Sequence, residues 1–154
     1  MARSITNPSG QLVCFKIRPY RSRLYYTVRV FKGVRPMRHY ARDLRRRRGW
    51  SVLGLGRFEG LATGWTIQRR VNKHWVTCAH AGEILLWKGR LGSLVVAHEC
   101  LHIALGWARR VGVNVASQRS KHQMVSAEEE RVCHVLGELV RGVYAGLYRH
   151  KILS

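Results

Sequence analysis

Acidic residues are scarce in this chain: eight Asp plus Glu stand against 28 Lys plus Arg in 154 residues, a formal net charge of +20 at pH 7. That imbalance excludes a neutral surface and favours association with polyanions, which weakens steeply with salt. Cysteine is sparse as well. Cys14, Cys78, Cys100 and Cys133 are scattered without a CxxC pair, which excludes a zinc ribbon and a thioredoxin-like motif. Long apolar runs are missing too. Residues 1–10 contain no stretch fit for the middle of a secretory signal, and the greasiest segment, 91–108, is interrupted by His98, Glu99 and His102, making it a poor membrane span. The expectation is a soluble, cytoplasmic protein with reduced thiols and no membrane partner.

What is present suits one compact domain over 1–154, since 46% apolar residues can fill a single core and leave little for a second. Residues 1–90 read mainly as strands. Segments 12–17 and 24–31, rich in aromatic and β-branched residues, form an antiparallel pair across a turn at 19–22; further strand signals fall at 65–69, 75–78 and 82–87. Gly54, Gly56, Gly60 and Gly64 do not match a phosphate-cradling loop and read as turns or bulges. Ahead of these glycines lies a basic segment near 35–50, a loop or a short helix around 40–48. Its densest positions, Arg42, Arg45, Arg46, Arg47 and Arg48, are candidates for gripping nucleic-acid phosphates through paired guanidinium hydrogen bonds. A solvated loop would look the same, because charge patterning is compositional.

The chemistry concentrates at His98-Glu99-Cys100-Leu101-His102. Leu94, Ala97, Leu101, Ala104, Leu105 and Ala108 recur at helical spacing, so the segment from 91 to about 109 is expected to be a helix with that stripe buried. His98 and His102, four apart, then converge from successive turns as a zinc ion requires, with Glu99 beside them as general base. Zn2+ lowers the pKa of a bound water from near 16 to roughly 7, and a carboxylate can take its proton and pass it to a leaving amine. Two histidines satisfied on a helix surface are the bland alternative. It is disfavoured because a Glu and two His at the edge of a buried stripe are costly without a partner.

A third ligand must come from a small pool. Glu128, Glu129 and Glu130 open a second helical pattern, 126–149, whose stripe runs through Val132, Val135, Leu136, Leu139, Val140, Val143 and Leu147. Glu129, in phase with that stripe, is the preferred third ligand and Glu128 the alternate. Ser126 with Glu129 also fits a capping box, so ligation and capping both stay open, and different glutamates could serve them. His122 in a polar loop and His134 off the stripe do not displace Glu129.

These residues resemble the zincin metallopeptidases, and among them the compact, gluzincin-like HExxH proteins with a glutamate on the following helix, similar to phage or mobile-element proteins. The resemblance covers roughly 81–148. It implies an α+β zincin-like domain, with a twisted, mostly antiparallel sheet packed on the motif helix and a C-terminal helix. It further implies a zinc metallopeptidase with His98, His102 and Glu129 as ligands and Glu99 as base, located in the host cytoplasm if phage-encoded. Its substrate would be a peptide or protein lying extended on a sheet edge, for which 82–87 is the equivalent strand. The chain lacks the third His of metzincins. A basic HExxH protein is also similar to the SprT-like proteases that act on proteins attached to DNA. The rival readings are a non-catalytic nucleic-acid-binding or host-interaction protein whose zinc only staples helices, and a hydrolase of some other substrate.

The remaining features read as structural. Trp50, Trp65, Trp75, Trp87 and Trp107 are assigned to packing, Tyr144 and Tyr148 to core cover near the site, and Cys100 and Cys133 to buried packing positions.

Overall fold

The computed structural model describes residues 9–19, 21–51, 58–114 and 126–154. Gly54, Gly56 and His122 lie outside them. The element order is β1 (Gln11–Ile17), β2 (Tyr25–Phe31), α1 (Val34–Arg47), β3 (Leu61–Gly64), β4 (Gln68–Val71), β5 (His74–Thr77), β6 (His80–Trp87), α2 (Ser93–Arg110) and α3 (Ala127–Arg149). The fold is α+β. A twisted, mostly antiparallel sheet of order β1-β2-β6-β3 forms the centre, with β2 and β6 parallel and the two outer pairs antiparallel, while β4 and β5 make a separate hairpin.

Side-chain alternation along β2 and β6 divides the core in two. Tyr26, Val28, Val30, Ile84 and Leu86 face α2 and α3, whereas Phe31 and Leu85 face α1. Both strands are buried on both faces, which is why 82–87 reads as a nearly unbroken apolar run. That burial corrects the expected sheet edge. β6 is interior, flanked by β2 and β3, and the edge beside the motif helix is β3. Gly82 permits this pairing, since a Cβ there would meet the Thr63 carbonyl at 2.1 Å.

The basic segment is a full helix that starts at Val34, six residues before the expected short one. Met37, Tyr40, Ala41 and Leu44 give it an apolar stripe against the sheet, Pro36 is tolerated in the first turn, and Arg45, Arg46 and Arg47 complement the dipole at its end. The motif helix forms as expected but is rotated. Its buried face is Val96, Glu99, Cys100, Ile103, Ala104, Trp107 and Ala108, while Leu94 is 83% exposed and Leu101 also faces solvent. Cys100 is buried as expected, but Cys133 is exposed. Trp65 and Trp107 are buried, whereas Trp75 stands in solvent. The strand expected at 65–69 forms instead at Gln68–Val71. No helix among the described residues is long and apolar enough to cross a membrane.

Candidate active site

α2 leaves β6 through the Leu91–Gly92 corner and carries the motif over its second and third turns. One turn of separation stacks His98 over His102, and their Nε2 atoms stand 3.1 Å apart with the rings nearly perpendicular. Either one ring N–H donates to the other nitrogen or both nitrogens share a cation. Two nitrogens bound to one tetrahedral zinc at about 2.0–2.1 Å each lie about 3.3 Å apart, so the observed spacing is a hydrogen-bond length that is also close to what a shared ion requires. Both histidines are exposed to solvent.

Glu99 points the other way round the helix, toward β3. It is only 5% exposed, and burial holds its carboxyl above the usual carboxylate range, opposed by the neighbouring His98 and His102 and by the Ala62 N–H that donates to it. The Trp65 N–H donates to the Ala81 carbonyl, so by alternation the backbone groups of Ala62 and Gly64 face away from β6, onto an edge that is unpaired with any other strand among the described residues. Glu99 therefore reaches the edge of β3 from below. Gly60 makes the approach possible, because a Cβ at this position would lie 2.9 Å from the Glu99 Cγ and 3.0 Å from its Oε1.

Along this edge runs a cleft of about 630 Å³, walled by Phe58, Leu61, Leu94 and Val95 and floored by His98, Glu99 and His102. Its walls are apolar and its polar groups converge at one end, the usual make-up of a small-ligand or peptide site. Phe58, Gly60, Ala62 and Leu94 were not singled out as site residues from the sequence. Only the glycine cluster hinted that backbone and side chain come close there.

Glu129, the expected third ligand, is placed elsewhere. Its carboxylate accepts from the Ser126 N–H at 3.0 Å while the Ser126 hydroxyl accepts from the Glu129 N–H at 3.1 Å, a complete capping box. The helices also run antiparallel. The Tyr144 hydroxyl donates to the Leu91 carbonyl ahead of α2, and Arg131 shares a cleft with Trp107, Arg110 and Val111 at the end of α2. The start of α3 thus lies beside the last turn of α2, past the histidines. Neither Glu129 nor Glu128 joins them, and among the described residues no group of three or more His, Cys, Asp or Glu could hold a metal. Two donors and a base fit zinc; the described residues do not complete the ligand set.

The arginine run is brought together on the solvent side of α1. Arg42, Arg46 and Arg47 are exposed, Arg45 is half-buried, and Arg48 stacks its guanidinium 4.2 Å from the Trp65 ring centroid. Asp43 is the one acid in this helix and is engaged by His39 and Arg46. No protein-family model, no curated protein and no solved structure matches the chain.

Proposed function

We propose that this chain is a zinc-dependent metallopeptidase-like hydrolase. The observation that carries the reading is the convergence of the His98 and His102 Nε2 atoms at 3.1 Å, with a nearly buried Glu99 beside them, at the floor of a cleft along a free strand edge. His98 and His102 are the residues that would hold the ion. Zinc, when bound, supplies Lewis acidity that makes water nucleophilic near neutral pH. Glu99 accepts the proton of the attacking water and returns it to the departing amine, a task suited to a carboxyl already held above its usual range by burial. The edge of β3 offers the carbonyl of Ala62 and the backbone of Gly64 to an extended peptide, beside apolar walls of Phe58, Leu61, Leu94 and Val95.

A second element of the reading is recruitment to nucleic acid by Arg42, Arg45, Arg46, Arg47 and Arg48. It is favoured by their gathering toward the C-terminal end of α1, while Arg38, nearer the start of the helix, donates to the carbonyl of Phe58 in the cleft wall.

Elemental analysis tests the site. One zinc per chain is expected in wild type and in Glu99→Gln, and none in His98→Ala or His102→Ala, with peptide hydrolysis lost in all three variants. Zinc retained in a closed, four-coordinate shell with no turnover would support the rival reading, a binding protein stapled by metal.

A further inference from the structure

The β4–β5 hairpin takes no part in the central sheet and has no task in the reading above. Asn72 and Lys73 turn it, both with positive φ, at 47° and 65°, as a two-residue hairpin turn of matching twist requires. Both strands are open to water along their described side chains. Trp75 is 68% exposed, an unusual position for the largest side chain in the repertoire. Arg70 lies directly opposite it in the register, so indole and guanidinium share a face with Gln68 and Thr77. No acid occurs from residue 60 to residue 82, while Arg70, Lys73 and His74 lie on the hairpin.

The hairpin is anchored at its base. The Cys78 N–H donates to the Ile67 carbonyl at 2.7 Å, and the Arg110 guanidinium holds the carbonyls of Trp65 and Cys78 together. Trp65 carries Arg48 on its ring, so the arginine end of α1 adjoins the base of the hairpin. The result is an exposed aromatic group with basic side chains on the hairpin and at its base.

We infer that the hairpin is a docking surface for single-stranded nucleic acid, with Trp75 stacking on an unpaired base and Arg70, Lys73 and Arg48 meeting the phosphates. A positive surface with an exposed aromatic is the combination that binds single strands without sequence readout, since every base has a stackable face that a duplex keeps hidden. A membrane surface is a poorer fit. Val71 and Val76 occupy different registers from Trp75 and point to the opposite face, so the apolar groups do not gather on one side.

The test needs neither zinc nor peptidase activity and therefore fails or succeeds apart from the proposed hydrolase. Fluorescence anisotropy is read with labelled oligothymidine, oligouridine and a DNA duplex of equal length, across a salt series. Single strands are expected to bind more tightly than the duplex. Trp75→Ala should weaken single-strand binding about tenfold with an unchanged salt slope, and Arg70→Ala should flatten that slope by about 0.7. Circular dichroism confirms that both surface variants fold. Wild-type affinity in Trp75→Ala, duplex binding as tight as single-strand binding, or a Trp75-dependent attachment to anionic phosphatidylserine vesicles without oligonucleotide binding would each overturn the inference.

Discussion

Glu83 and Glu99 are both almost withdrawn from water, at 3% and 5% exposure, yet they are received in opposite ways. Glu83 sits between sheet and α1 with a full set of partners: Arg29 reaches its Oε1 at 3.2 Å, and the Tyr40 hydroxyl donates to its Oε2 at 2.8 Å. Gln11 accepts from the other guanidinium nitrogen at 2.8 Å, and burial together with the Glu83 charge raises the Tyr40 phenol, which keeps it a donor. Glu99, on the opposite side of the sheet, has one backbone N–H and two imidazoles nearby but, among the described residues, no Lys or Arg ion pair. A satisfied buried carboxylate holds a fold together. An under-satisfied one at the floor of a cleft is a candidate for proton transfer, because burial raises its pKa.

The largest break in this comparison comes from removing the satisfied group. Glu83→Ala leaves Arg29 charged, buried and unpaired, and is expected to cost about 3–5 kcal/mol in a denaturant melt. Glu99→Gln should cost far less while abolishing hydrolysis. In metal-free protein the contrast extends to pH. Because the folded state holds the Glu99 proton to higher pH than the unfolded chain, whose carboxyl titrates near about 4.3, stability falls as pH rises through the raised value. Glu99→Gln should remove that slope, and equal slopes in the two proteins would deny Glu99 its raised pKa.

Next in size is Gly60→Ala, which acts on Glu99 without touching it chemically. The added methyl would meet the Glu99 Cγ, its Oε1 and the Val95 Cγ1 at 2.9, 3.0 and 3.1 Å, so the carboxylate must leave the β3 edge. Overpacking of this kind costs about 1–3 kcal/mol. The expected signature is a fall in kcat with zinc content unchanged. Full activity in Gly60→Ala would mean that the contact between Glu99 and β3 does not position the base.

Much of this site was legible in the sequence because its first elements are local. His98, Glu99 and His102 lie within five residues, and the stripe of α3 is separated cleanly from its polar face, so motif, helix and second helix all follow from spacing. The phase of α2 was not legible. Its residues are apolar almost all round, which leaves the polar positions to set the orientation, and here they mislead: Glu99 is polar and buried, while Leu94 is apolar and in water. β3 escaped notice for a different reason. Leu-Ala-Thr-Gly has little strand character, and only pairing with β6, some twenty residues on, makes it a strand. In α1 the density of arginine hid a stripe, Met37-Tyr40-Ala41-Leu44, whose spacing was present all along.

Glu129 is a third carboxylate against which the comparison can be sharpened, because it serves the open start of a helix. Ser126 and Glu129 each satisfy an N–H that the first turn of α3 would otherwise leave unpaired. Ser126→Ala should therefore cost about 1 kcal/mol. Glu129→Gln should cost almost nothing, since an amide oxygen can accept the same bond at that position in the box. A glutamine keeps the cap but is a far weaker metal donor than a carboxylate, so zinc content separates the two tasks that the sequence left open. Zinc at the wild-type level in Glu129→Gln is the expected outcome and assigns the residue to the cap. Zinc lost from a variant whose melting is unchanged would show instead that Glu129 exchanges its cap for the ion on loading, and would require the start of α3 to move toward His98 and His102.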